Sequence, residues 1–153
     1  MKVWRVCRRP YTAFDGEGAR LAGGRWSHPG IAIVYTSATL SLATLELLFQ
    51  LGQNEVPRDL VVVSAEIPDT VHRTGLVPEG VPDRDWRRYP ALTGLRDVGT
   101  RWVASMDTAV LGVPSAIVPT ERNYLLNPAH PAFREIRIGV AEPFSLRPGP
   151  PRH

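Results

Sequence analysis

Three short clusters in this sequence combine residue types that can do chemistry. The first is Gly23-Gly24-Arg25-Trp26. Two glycines let the backbone turn tightly and let a ligand approach it closely, and the planar guanidinium beside them suits a phosphate or a carboxylate. The same residues also fit a plain glycine turn entering a strand, with Arg25 a surface charge. The second is Glu46, within the run 38–51 (ATLSLATLELLFQL). On a helix turning about 100° per residue, its near neighbours are Leu42, Phe49 and Gln50, and leucines cover much of the remaining circumference. A helix apolar nearly all round is expected to be buried. A carboxylate inside it needs a cationic or hydrogen-bond-donating partner, either for function or simply to fix the fold through a Glu–Arg pair. The third cluster runs from Val113-Pro114-Ser115 to Pro128 and holds Ser115, Glu121, Arg122, Asn123 and Asn127. Such a loop can line a polar pocket, although Asn and Pro are also ordinary turn residues.

Tyr35 shares a strand face with Ile33 and Ser37. A tyrosine there fits a core position with its hydroxyl at the rim, or an aromatic wall on which a flat ligand stacks. Other chemistries lack their residues. His28, His72, His130 and His153 have no zinc-site spacing, Cys7 has no partner cysteine, and no metal is expected. There is no Walker loop, no GxGxxG and no GxSxG elbow to make Ser115 a hydrolase nucleophile.

The whole chain sets the frame for these residues. A length of 153 residues with 43% apolar content fits one domain with its own core. A single cysteine fits a reducing compartment, and apolar stretches fall short of the roughly 18 to 20 residues that span a bilayer. A soluble, cytoplasmic protein without a membrane partner is expected. The net charge is +3, and Lys2 is the only lysine. The arginines are scattered, with no aromatic-interleaved basic stripe, so direct nucleic-acid binding is not expected.

Elements that would position the clusters are legible in outline. Residues 2–7, 31–36 and 59–67 read as strands, with a Gly-rich loop from Pro10 to Gly24. Ser37 stands where an N-cap belongs, before a helix over 38–51 that Gly52 closes. Pro82-Asp83 opens a short helical piece through Arg88, and 93–106 reads as a second long helix. The stretch 111–128 reads as strand, turn and Asx-rich loop, and 135–141 as a late strand. A tail over 148–153 is expected to be disordered. Strands and helices mix without a regular βαβ rhythm, which indicates α+β.

In order along the chain, Trp4-Arg5-Val6, Gly16-Glu17-Gly18-Ala19, Gly23-Gly24-Arg25-Trp26, Tyr35-Thr36-Ser37, Leu42-Ala43-Thr44-Leu45-Glu46, Val113-Pro114-Ser115 and the run from Glu121 to Pro131 resemble the RES family. Each piece is short; their joint order is specific and spans residues 1–147 as one domain. Ser27 departs from the asparagine expected after Gly-Gly-Arg-Trp. The resemblance implies a fold like that of ADP-ribosyltransferase toxins, a mixed β-core with surrounding helices. It further implies the toxin of a toxin–antitoxin module, partnered by an Xre-like helix-turn-helix antitoxin. Such a toxin depletes NAD⁺ by cleaving the nicotinamide–ribose bond as a glycohydrolase or phosphorylase, or else ADP-ribosylates a specific protein. NAD⁺ is then a substrate, with inorganic phosphate as a conceivable co-substrate, and no resident cofactor is implied. By the same resemblance Arg25, Tyr35 and Glu46 are the catalytic positions, and Gly24, Trp26, Ser27, Thr36, Ser115 and Asn123 surround the substrate.

Overall fold

The computed structural model describes residues 1–146, so the expected tail at 148–153 lies outside the described residues. Strand β1 (Lys2–Arg8) pairs along its whole length with β3 (Leu60–Glu66), from Lys2↔Glu66 to Arg8↔Leu60. Both are rich in β-branched valine, which suits a pleated, half-buried surface. β2 (Val34–Ser37) touches β1 at the single pair Trp4↔Ser37 and then runs antiparallel to β6 (Arg122–Leu126). β6 pairs with β5 (Val110–Pro114), whose five residues are all buried, and β5 takes the short β4 (Arg73–Gly75) as a parallel edge. On the far side, β3 carries two two-residue strands, β7 (Arg137–Ile138) and β8 (Glu142–Pro143). One mixed sheet in the order β4-β5-β6-β2-β1-β3-β7 results, with β8 beside β3. The class is α+β, as the sequence indicates.

Side chains alternate across this sheet, and the alternation separates two apolar layers. Val3, Val34, Val63, Val110 and Leu126 face one side, where Phe14 and Ile136 from the loops cover them. Leu111, Val113 and Leu125 face the other side, under Trp26, Leu95 and Trp102. Among the described residues, α1, α2 and α3 all lie on that second side. α1 (Glu17–Ala22) contributes Ala19 and α3 (Thr93–Ser105) contributes Leu95 and Trp102 to the layer over β5 and β6, while α2 (Leu40–Leu51) sets Ala43 on Val6 and Leu60 of β1 and β3. Between α2 and the α1–α3 layer lies the line where β2 and β5 end and β6 begins. No helix among the described residues is long and apolar enough to cross a membrane.

Several local expectations are corrected. The Gly-rich loop contains α1, which begins after Gly16 at φ 72°; a Cβ there would stand 2.6 Å from the Ile33 nitrogen. Ser37 is not the N-cap of α2. Thr39 accepts the Leu42 N–H at 3.1 Å, because β2 continues through Ser37 and uses it in pairing. Nor is α2 buried all round: only Leu42 and Ala43 are, while Phe49 is 68% exposed. Residues 82–88 form turns instead of a helical piece, since Asp83 accepts the Asp85 N–H and the carbonyls of Trp86 and Arg88 are drawn to Arg25. The Asx-rich loop before Asn127 is β6. The late strand is broken, with a 3₁₀ turn over Pro131–Glu135 and a gap at Gly139, whose N–H bonds the Ser64 carbonyl. The second long helix holds, one residue shorter than expected.

Candidate active site

Glu46 lies in α2 one turn beyond Leu42 and Ala43, the pair that seats the helix on the sheet, so its side chain continues the buried face toward the sheet's polar end. There its Oε1 accepts two hydrogen bonds, from Asn123 Nδ2 at 2.6 Å and from Ser115 Oγ at 2.9 Å. Asn123 is oriented in turn by Ser37, whose hydroxyl donates to its Oδ1 at 2.7 Å. The two are directly opposed in the β2–β6 ladder, where same-face side chains stand within reach of each other. Ser115 follows β5 immediately. Its fully buried hydroxyl accepts the N–H groups of Ile117 and Val118, both at 3.1 Å, and its own N–H bonds the Glu121 carbonyl at 2.9 Å. With its acceptor sites occupied, that hydroxyl is a fixed donor toward the carboxylate. Glu46 Oε2 accepts no hydrogen bond from the described residues.

Arg25 stands at the tip of a tight hairpin. Gly24 and Ser27 bridge each other through backbone hydrogen bonds of 3.0 and 3.4 Å, and Arg25 and Trp26 form the tip. Tyr35 holds this tip from below: its hydroxyl accepts the Trp26 N–H at 3.2 Å and lies 2.8 Å from Ser27 Oγ. The requirement for glycine at 24 follows, because a Cβ there would stand 2.5 Å from the Tyr35 hydroxyl. Arg25 Nη1 donates to the carbonyls of Trp86, at 3.0 Å, and Arg88, at 2.8 Å. That segment is tied to the other wall by Arg87, which donates to the carbonyls of Ala116 and Ile117 at 2.8 and 3.1 Å.

Burial pushes the Arg25 pKa down, opposed by the charges of Glu46, Tyr35 and Tyr89. Burial also raises the Tyr35 phenol, against its hydrogen bonds to Ser27 and Trp26 and the charges of Arg25 and Arg96. The charge of Glu46 thus acts on Arg25, yet no direct ion pair joins them among the described residues.

The structure therefore brings Arg25, Tyr35, Glu46, Gly24, Ser115 and Asn123 to one place. Three expected substrate contacts do not reach it as contacts. Trp26 is 2% exposed, with its ring against Trp86; Ser27 is 0% exposed and spends its hydroxyl on Tyr35; Thr36 is 2% exposed, faces the other side of the sheet and donates to the Tyr124 carbonyl at 2.8 Å. All three are supports. Ser115, also buried, gives its hydroxyl hydrogen bond to Glu46. Sequence reasoning missed Ser37 as the residue that orients Asn123, because its position before a helix resembles a cap. It also missed Arg87, whose side chain ties the 84–88 segment to the Ala116 and Ile117 carbonyls.

The RES domain family model matches residues 2–147. The chain belongs to the RES domain family. It is similar to the Prs ADP-ribosylating toxin of Sphingobium sp. (strain YBL2), 40% identical over 94% of this chain and 96% of that protein. It is also similar to Toxin Res of Yersinia enterocolitica, 38% identical over 95% of each. Among solved structures, the M. tuberculosis MbcT–MbcA toxin–antitoxin complex contains a chain of like fold, with a TM-score of 0.75 at 15% identity, covering 94% of this RES chain and 84% of that one.

Proposed function

We propose that this RES protein is the toxin of a toxin–antitoxin pair and acts in the cytoplasm by cleaving the nicotinamide–ribose bond of NAD⁺. The observation that carries the reading is the cradle of Glu46, in which Ser115 and Asn123 hold one carboxylate oxygen and leave the other unbonded, across from Arg25. In the reaction the ribose C1′–nitrogen bond breaks, and its electron pair leaves with neutral nicotinamide. Positive charge develops on the ribose ring, and a preorganised carboxylate stabilises it. The free oxygen of Glu46 serves this purpose and can also hold a ribose hydroxyl. Water or inorganic phosphate then supplies the oxygen that bonds C1′. An attacking water passes one of its protons to the Glu46 carboxylate and on to solvent, whereas a phosphate oxygen attacks as the anion. Arg25, held at Nη1 by two carbonyls, offers its remaining donors to a phosphate. Tyr35 forms the floor that aims Arg25.

Purified protein incubated with NAD⁺ alone, with and without phosphate, is expected to release nicotinamide continuously. Intact NAD⁺ under both conditions would sink the reading. The name of the Sphingobium relative favours a second one, transfer of ADP-ribose to a protein. Its signature is nicotinamide release only when a protein acceptor is added, with the ADP-ribose label retained on that acceptor.

The resemblance to a toxin held in a toxin–antitoxin complex supports an antitoxin partner here; the Xre-like helix-turn-helix type is what the family resemblance of the sequence implies. Co-expression with the neighbouring gene product should yield a stable, inactive complex. Free and fully active toxin would count against that partner.

A further inference from the structure

The segment over 84–88 has no helix or strand of its own, yet it is held from both sides of the site. Trp86 roots it: the ring is buried and packs tilted on Trp26, with centroids 6.4 Å apart. On one side, the carbonyls of Trp86 and Arg88 accept from Arg25 Nη1. On the other, Arg87 donates from Nε to the Ala116 carbonyl at 2.8 Å and from Nη2 to the Ile117 carbonyl at 3.1 Å. Those two carbonyls belong to the turn whose Ile117 and Val118 N–H groups donate to the Ser115 hydroxyl. A single run of bonded groups therefore leads from the Arg25 guanidinium, through residues 86–88 and the Arg87 side chain, to Ser115 and Glu46.

No other hydrogen bond joins residues 84–88 to residues 115–121 among the described residues. Arg87 gives both bonds from one planar group, so a shift of either partner breaks at least one of them. Its side chain is exposed, and holding a long, exposed side chain in one geometry costs rotamer freedom that a plain surface position would keep.

We propose that Arg87 is a positioning residue for nicotinamide–ribose cleavage, a strap that holds Arg25 and the Ser115–Glu46 cradle in register with each other. It touches no reacting atom. It makes one unit of the carbonyls that aim Arg25 and the turn that aims Ser115, so that cation and carboxylate meet the same substrate together. Small misplacements of such groups are costly in rate. The inference rests on the cleavage reading above.

The test compares nicotinamide release from NAD⁺ by wild type, Arg87→Met and Arg87→Lys, each checked for folding by thermal melting. Arg87→Met should lower kcat and raise KM together, each by about three- to tenfold. Arg87→Lys should recover part of both losses, because an ammonium still reaches a carbonyl but lacks the fork. Amide exchange followed by NMR needs no turnover. In Arg87→Met it should quicken at Ile117 and Val118, beyond the strap, and at Trp26, in the hairpin tip. A lower melting temperature with wild-type kcat and KM would make Arg87 merely structural and overturns the proposal. A change confined to kcat or to KM overturns it as well, since the strap must act on both sides. Should Arg87→Met fail to fold, Arg87→Lys decides alone, and wild-type kcat and KM in it overturn the proposal. A wild type that leaves NAD⁺ intact overturns the cleavage reading instead. Exchange then decides: quickening at both places leaves the strap standing, and unmoved amides at either place overturn it.

Discussion

Glu46 receives its hydrogen bonds from Asn123 on β6 and from Ser115 in the turn directly after β5, whereas Arg25 gives its own to main-chain carbonyls of an irregular segment over 84–88. The carboxylate's cradle has three polar side chains, Asn123 and Ser115 donating directly and Ser37 fixing Asn123, each held by strand register or by a turn. The cation instead depends on a four-residue hairpin, a tyrosine beneath it and a loop that has no helix or strand of its own. Strand-borne groups hold a reacting atom more tightly than loop-borne ones, which suits a residue that must meet a developing charge. A loop-borne cation suits binding. The contrast predicts that damage on the two sides will read out differently in kinetics.

The largest effect short of removing the carboxylate is expected from Ser115→Ala combined with Asn123→Ala. Each hydrogen bond to a charged group is worth about 1.5–3 kcal/mol, so kcat should fall by about a hundredfold or more while KM for NAD⁺ moves little. A rise in KM at unchanged kcat would erase the distinction between the two sides. Arg25→Lys should do the reverse. It keeps the charge, loses the fork and raises KM by about tenfold, as steady-state nicotinamide release would show.

Tyr35→Phe tests the floor beneath the hairpin. It leaves the Trp26 N–H and the Ser27 hydroxyl without their buried partner and should lower unfolding free energy by about 1–3 kcal/mol. It should also change the alkaline response. The phenol is raised above its ordinary value of about 10 by burial, so the unfolded chain releases this proton first. Its contribution is fully present below that ordinary value and is lost as pH climbs toward and through the raised one. Urea melts of wild type should show that alkaline loss, and the phenylalanine variant should lack this part of it. The smallest effect is expected at Phe49. Being largely exposed on α2, Phe49→Ser should shift stability of the free chain by no more than about 0.5 kcal/mol; a loss of several kcal/mol would restore the buried helix that the sequence suggests.

How much of this was legible beforehand differs between the same two regions. Glu46 stood out because a carboxylate among leucines demands donors, and the donors exist. The stated reason was only half right, for α2 exposes Leu45 and Phe49 and buries one short face. Periodicity cannot tell a helix lying over a sheet edge from one enclosed by the core. Ser115 and Asn123 sat in a stretch whose prolines and asparagines hid β6, since pairing with β2 and β5 decides that strand more than its own residues do. On the Arg25 side, Gly24 was readable as a place of close approach, and the Tyr35 hydroxyl is what approaches it. The carbonyls of Trp86 and Arg88 were not readable at all: a main-chain acceptor has no residue type, and tertiary contacts override the local helical pattern there. Ser37 misled for a related reason, because a serine before a helix serves as a cap or as a strand residue with equal ease until its partner is known.

Under the proposed function, the Glu46 carboxylate drives cleavage of the nicotinamide–ribose bond. The direct measurement is nicotinamide release from NAD⁺ by wild type and Glu46→Gln, each shown to be folded by circular dichroism and thermal melting. The predicted result is continuous release by wild type and a kcat lower by about 10²–10³ in the variant, with similar melting. A folded Glu46→Gln protein releasing nicotinamide at the wild-type rate would contradict it.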